Sequence, residues 1–358
     1  MRKSRIAAAA LLLLSVFAAA LSGCGISALP AETGAKGKPE KYSGYMFDAF
    51  DTTITVTAFC ESQEEFDGYM DAAKGEFLRY HQLFDIYHTY PEMNNLKSVN
   101  DAAGKEAVAV DEDILALLTL GQEMYERTDG CVNIAMGSVL RLWHDIREYN
   151  TAFPDDKRLP EREDLLAAAE HCAIEDMVLD SAAGTVFLRD EKMSLDVGAL
   201  AKGFATERVT ERLASLGCEH FAVNAGGNVR VYGGKPGDLD WVVAVTDPAP
   251  AGGETSLGNV SLPDGSVVTS GSYQRFFEYE GRSYHHIVDG TTLRPENRYL
   301  SVTVVTEDSG YADGLSTALF NMDWEEGSAF ASALEGVEVL WVLPDGELRS
   351  TDGFDLKK

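Results

Sequence analysis

Basic residues are scarce in this chain of 358 residues: 30 Lys and Arg stand against 58 Asp and Glu, a formal net charge of −28. That balance excludes nucleic-acid binding through a basic face, because phosphate contacts need clustered cations. It also sets the chain against negatively charged lipid surfaces. An anionic ligand must therefore be held by local devices: a metal ion, a helix N-terminus or a few placed cations. Cysteine is sparse too. The five are Cys24, Cys60, Cys131, Cys172 and Cys218, none in a C-x-x-C pair, so neither a zinc knuckle nor a dithiol redox motif is indicated. Thiols so widely spaced in a large domain read as buried residues, and no function is expected of any but Cys24. No repeat period appears, which argues against a repeat protein.

A long apolar run occurs at the N-terminus. Arg2, Lys3 and Arg5 precede Ile6–Leu21, apolar apart from Ser15, and Leu21-Ser22-Gly23-Cys24 supplies the small residues of a cleavage site. This is the pattern of an export signal, and the last four residues are similar to a bacterial lipobox, with Cys24 as the lipidated N-terminus. The expected organisation is a signal over 1–23, a lipidated tether over 24–45, a folded domain over 46–348 and a polar tail over 349–358. The tether is rich in Gly, Ala, Pro and Lys and without periodicity. Forty-five per cent hydrophobic residues are enough for a substantial core.

Within the domain, residues 47–59 read as a first strand, rich in β-branched side chains, and Glu64–Phe84 as an amphipathic helix. A polar loop follows Phe84-Asp85-Ile86-Tyr87. A helix is expected from Asp111 to Tyr125, capped at its start by Asp111 or Asp113. Residues 163–171 read as a helix, and 177–179 with 185–188 as a strand pair turning at Ala183-Gly184. Val229–Tyr232 is expected to turn through Gly233–Gly237 and return as Trp241–Thr246. Arg275–Tyr279 and Arg282–Asp289 flank Glu280-Gly281 as a second hairpin. The last strands are Ser301–Thr306 and Val337–Leu343, with the helix Tyr311–Phe320 between them.

The densest chemistry lies in Ser194–Asn228. A short apolar strand delivers Asp196 to a small-residue turn, Val197-Gly198-Ala199-Leu200-Ala201, and Lys202 and Gly203 sit in the first turn of the next helix. Free amide N–H groups there, with the helix dipole and a lysine, suit a phosphate. The chain returns to Asn224-Ala225-Gly226-Gly227-Asn228, where side chains would obstruct a close ligand. Asp313 and Thr317 are four apart, hence on one helix face, and offer hard oxygen ligands. Magnesium commonly takes only one or two protein carboxylates; the alternative is an acidic residue that merely stabilises the helix dipole. His285 and His286 should point to opposite faces of a strand, so only one can serve a given site, which counts against a two-histidine zinc centre.

Four stretches, 194–204, 224–236, 269–289 and 312–320, occur in the order seen in one family. The chain resembles the bacterial FAD:protein FMN transferases, the ApbE family of lipoproteins, over essentially the whole mature domain. The resemblance implies an α+β fold: a single large catalytic domain of mixed, largely antiparallel sheets with flanking helices. It implies Mg²⁺-dependent transfer of FMN from FAD to a Thr or Ser hydroxyl of an acceptor protein, with AMP released. Mg²⁺ is then expected on Asp313, Thr317 and the carbonyl of Ala199. FAD is expected against Asp196 and Lys202, with Ser316, Tyr87, Cys131, Val132 and Asn133 lining the flavin or adenine pocket and Phe50 and Ile287 as apolar walls. His286 is the candidate base, and Lys202 either assists or holds the diphosphate. Expected acceptors are exported or membrane electron-transfer subunits, met at the outer face of the cell membrane. Three departures stand out: Asn133 where the family usually has Asp, Gly290 where it has Pro, and Phe50-Asp51-Thr52 in place of Met-Gly-Thr. A pyrophosphatase giving FMN and AMP, or a flavin-binding lipoprotein without chemistry, are the alternative readings.

Overall fold

The β-branched run does form a strand, and its first partner comes from residues expected in the tether. In the computed structural model, which describes residues 38–250 and 255–358, β1 (Glu40–Met46) pairs antiparallel with β2 (Ile54–Cys60), Glu40 opposite Cys60. The folded unit therefore starts before residue 46. β1 is an edge strand whose inward positions are Tyr42, Gly44 and Met46 while Tyr45 faces outward, so its apolar alternation is weak. Residues 47–53, expected as strand, instead turn, with Phe50 and Asp51 at φ of 55° and 50°. The signal and the lipobox at Cys24 lie outside the described residues.

Helix α1 (Gln63–Phe84) opens on a reciprocal cap: Ser62 accepts from the Glu65 N–H and the Glu65 carboxylate from the Glu61 N–H. It buries Phe66, Ala73, Phe77, Tyr80 and Phe84, a helical stripe against the sheet. There follow α2 (Leu96–Asp101), β3 (Val108–Ala109) and α3 (Glu112–Arg127), the last capped by Asp111. The apolar stretch around Trp143 is helix α4 (Gly137–Ala152), followed by α5 (Arg162–Ala169). β4 (Met177–Asp180) and β5 (Thr185–Leu188) pair, with β3 beside β5, as a small separate sheet.

The second half builds the main sheet. After α6 (Ala201–Ser215) come β6 (Phe221–Ala225), β7 (Asn228–Tyr232), β8 (Trp241–Thr246), β9 (Ser256–Leu262), β10 (Gly265–Gly271), β11 (Phe276–Tyr279), β12 (Arg282–His285) and β13 (Ser301–Thr306). Helices α7 (Ser309–Asn321) and α8 (Trp324–Ser332) and strands β14 (Glu338–Val342) and β15 (Leu348–Ser350) complete it. The order β1-β2-β6-β7-β10-β13-β14-β15 is antiparallel at every step.

One expectation about pairing is corrected here. β7 does not pair with β8; it lies between β6 and β10, while β8 pairs with β9. The glycine turn after β7 is tied to residues 263–264 instead, with Gly234 N–H donating to the Pro263 carbonyl (2.6 Å) and Gly233 N–H to Asp264 (2.9 Å). That anchorage sets β10 beside β7. The polar tail is anchored to the domain: Leu348–Ser350 is an edge strand, and Lys357 exchanges backbone hydrogen bonds with Asn259 at 2.7 and 2.9 Å.

Helix α7 is the buried element, with Ala312, Leu315, Ala318, Leu319 and Phe320 fully enclosed. α6 crosses it so closely that a Cβ on Gly203 would sit 2.2 Å from the Ser309 carbonyl oxygen and 2.5 Å from Asp313 Cβ. Among the described residues no helix is long and apolar enough to cross a membrane.

Candidate active site

The close crossing of α6 and α7 places the first turn of one helix against the acidic residue of the other. Beside it opens a cavity of about 630 Å³. Its wall gathers the 50–52 turn, the loop after α1, residues 131–136, the start of α6, the end of β10 and the base of the β11–β12 hairpin. Phe50, Tyr87, Cys131, Val132, Asn133, Asp196, Ala199, Lys202, His286, Ile287, Asp313 and Thr317 all line it. Ser316 does not. It is fully buried, its hydroxyl donating to the Asp313 carbonyl (2.9 Å) and bonded to the Ser270 hydroxyl (2.7 Å), so it stands behind Ser270, which does face the cavity.

Asp313 is almost wholly buried, and its Oδ2 accepts from the Gly203 N–H at 2.8 Å with Lys202 Nζ 3.8 Å away. Burial pushes its carboxyl above the usual range, against the pull of Lys202 and Gly203. The amide of the first turn expected to meet a phosphate is thus already given to a carboxylate. Thr317 is one turn further along the same face. Asp196 is raised by burial too, its Oδ1 accepting from Gly198 N–H (2.9 Å) while its own N–H reaches the Ile134 carbonyl (2.8 Å). The lining carries three cationic side chains, Arg147, Lys202 and Arg275, against four carboxylates, Asp51, Asp85, Asp196 and Asp313. Without a further cation, this wall does not suit a diphosphate.

Both His285 and His286 border the cavity, but they differ in what is left over. His285 Nδ1 accepts from the Ile287 N–H (3.2 Å), which leaves Nε2 to donate to the Glu296 carbonyl (3.1 Å). Both nitrogens are spent, and the ring packs edge-on to Phe320. His286 Nδ1 is buried without a hydrogen-bond partner. Burial, then the charges of Arg275, His285, Lys202 and Arg147, push its pKa from 6.5 down to about 3, so the imidazole is neutral. The unfolded chain then binds this proton more readily than the folded one, and stability falls as pH drops below 6.5 towards 3. The deficit amounts to about 2 kcal/mol at pH 5. Urea unfolding at pH 7 and pH 5 should show that loss in the wild type and a smaller one in His286→Gln; equal slopes would mean His286 titrates normally.

Sequence reasoning missed several groups. Asp85 accepts from the N–H groups of Tyr87 (2.6 Å) and His88 (3.0 Å) and from the Tyr90 hydroxyl (2.8 Å), which fixes the loop that presents Tyr87. The Tyr87 ring lies 5.2 Å from that of His144, and Arg147 bonds His144 Nδ1 at 2.9 Å. Trp143, Tyr284 and Phe277 form a stacked wall. Only the tryptophan in an apolar run hinted at it. Asn133 is explained by its neighbours: Nδ2 donates to the Cys172 carbonyl (2.9 Å) and Oδ1 accepts from Ala135 N–H (2.8 Å), and the first bond needs an amide. At Gly290 the turn is held by Asp289, whose carboxylate accepts from Thr291 and Thr292 N–H and pairs with Arg298 (2.9 Å). Cys60, Cys131, Cys172 and Cys218 are free thiols, and burial pushes Cys60 up to about 11 and Cys218 to about 12.

Comparison with known proteins agrees with this geometry. A model of the ApbE family matches residues 50–341. The chain is 35% identical to an FAD:protein FMN transferase of Treponema pallidum, over 72% of this chain and 73% of the relative. It is 30% identical to one from Klebsiella pneumoniae, over 75% and 83%. Among solved structures, the ApbE protein of Thermotoga maritima superposes with a TM-score of 0.76 at 30% identity, over 87% of this chain and 97% of that one. The flavin transferase ApbE of Vibrio cholerae gives 0.71 at 24% identity, a likeness of fold. With the family model spanning most of the described residues, this chain belongs to the ApbE family.

Proposed function

We propose that this protein transfers the FMN moiety of FAD to a threonine or serine hydroxyl of an acceptor protein, with Mg²⁺ bound and AMP released. The observation that carries this reading is the wall on which Asp313, Thr317 and Lys202 meet a neutral histidine, His286. A volume of about 630 Å³ lies within the range of pockets that enclose ligands of roughly 300–1,000 Å³.

The residues suit a magnesium ion. Asp313 is a buried carboxylate whose charge Lys202 only partly offsets, and Thr317 adds a hydroxyl on the same face. With the Ala199 carbonyl these are hard oxygen donors, and among the described residues no cluster of three His, Cys, Asp or Glu offers a softer site. When bound, Mg²⁺ would neutralise the diphosphate and the charge that develops in an in-line displacement. Lys202 adds one cation beside the same oxygens. The aromatic wall and the Tyr87 loop exclude water from a flat ring system. His286, neutral and with an unused nitrogen, accepts the proton of the attacking hydroxyl once the anionic diphosphate offsets the cations that, in addition to burial, hold its basicity down. That oxygen bonds to the phosphorus on the riboflavin side, and the P–O bond to AMP breaks with its electron pair.

Cys24 then tethers the domain to the outer face of the cell membrane, where exported or membrane electron-transfer subunits are the acceptors. This follows from the sequence pattern at residues 1–24.

The test uses protein lacking the first 24 residues, with FAD, Mg²⁺ and an exported FMN-binding domain of the same organism. Acceptor mass and AMP release are followed together. A gain of one FMN, lost with a chelator, is expected. AMP and free FMN without adduct on any acceptor would indicate a pyrophosphatase, and bound FAD without AMP a binding protein.

A further inference from the structure

The hairpin β11–β12 carries two groups of the cavity wall at its open end. The ladder ends where Phe276 pairs with His285, and Arg275 and His286 are the residues that flank this last pair, each in a bend. Both line the cavity, Arg275 from its exposed rim.

Arg275 is unusual for its lack of a partner. Acidic residues outnumber basic ones almost two to one in this chain, yet Arg275 has no ion pair and no hydrogen bond among the described residues. The other two cations of the cavity are engaged, Lys202 with Asp313 (3.8 Å) and Arg147 with His144 (2.9 Å). The charge of Arg275 bears unfavourably on both Arg147 and His286. A guanidinium left uncompensated beside another cation, on the wall of a cavity, is poised for an anion that comes between them. Its planar fork of donors matches the oxygens of a phosphate.

We infer that Arg275 is a further catalytic residue: its guanidinium grips the non-bridging oxygens of the phosphoryl group in transfer, while His286, on the same cavity wall, takes the hydroxyl proton. The identity of that anion rests on the transferase reading above. In the step, the acceptor oxygen bonds to phosphorus as its proton passes to His286, and the P–O bond to AMP breaks with the electron pair leaving on AMP. Arg275 stabilises the charge spread over the phosphoryl oxygens and exchanges no proton.

The test compares Arg275→Ala and Arg275→Lys with the wild type, all with FAD, Mg²⁺ and acceptor. AMP release is measured in single turnover, and FAD affinity and the acceptor KM separately. Arg275 is exposed, so both variants should fold and melt as the wild type does. AMP release is expected to slow about 10²-fold in Arg275→Ala, the usual effect of removing one transition-state donor. FAD affinity should change only a few-fold, Arg275→Lys should recover part of the rate, and added guanidinium ion should rescue Arg275→Ala. An unchanged rate overturns the assignment, as does a loss confined to FAD affinity or to the acceptor KM. If the wild type releases AMP without forming an adduct, the transferase reading falls, while the AMP rates still judge Arg275. A wild type that releases no AMP overturns both.

Discussion

Asp313→Asn should abolish turnover, with a loss of about 10³-fold or more, because the charge that would hold the cation disappears while the shape is kept. The fold should not suffer. The asparagine oxygen can still accept from Gly203 N–H, and a buried, incompletely compensated carboxylate is removed. In chelator, the variant is expected to melt at or above the wild-type temperature. Added Mg²⁺ and FAD should raise the melting temperature of the wild type and leave the variant unmoved. The pH dependence has a definite sign. Burial holds the folded carboxyl above its ordinary range, so its contribution to stability is present at low pH and lost as pH rises through that value. The variant lacks this component. Unchanged turnover in Asp313→Asn would remove the metal from the site.

Gly203→Ala should damage both stability and activity. Its methyl group would fall 2.2 Å from the Ser309 carbonyl oxygen, a backbone atom that cannot step aside alone. Helix α6 must then move off α7, at a cost of about 1–3 kcal/mol. The same displacement lengthens the Gly203 N–H bond to Asp313 and carries Lys202 away from its partner. Urea denaturation should report the first effect. AMP release under conditions where the variant is fully folded should report the second, with a loss larger than unfolding accounts for. A variant with wild-type stability and turnover would mean that the crossing is looser than described.

Much of this site is legible in the sequence because its chemistry is local. The spacing of Asp313 and Thr317 follows from helix geometry, and Phe276–His285 is a short hairpin whose turn residues, Glu280 and Gly281, sit at positive φ as its tight turn requires. What escaped detection depends on distant partners. Nothing near Gly203 in the chain announces that its N–H serves a carboxylate 110 residues later. Asn133 looked like a lost charge until the Cys172 carbonyl supplied a reason for an amide. Ser316 carried a hydroxyl at a promising position, but the face of α7 that meets the cavity is set by Asp313 and Thr317, which turns Ser316 towards Ser270. β1 is faint in the sequence because glycine interrupts its inner face and a tyrosine sits on its outer one, and the partner of β7 is hidden because the glycine turn is anchored by Pro263 and Asp264 rather than by the strand that follows it.

The order of strands in the main sheet has a consequence in time. β2 finds its inner neighbour only when β6 is present, with Ile54 opposite Ala225, a closure of some 170 residues of the slow, non-local kind. The cavity itself takes side chains from Phe50 to Asn321. No nascent segment short of that point contains the complete pocket, so a chain emerging N-terminus first acquires it only once Asn321 is free to fold. Flavin added to refolding protein should accordingly be captured in the last kinetic phase, after most helix signal has formed.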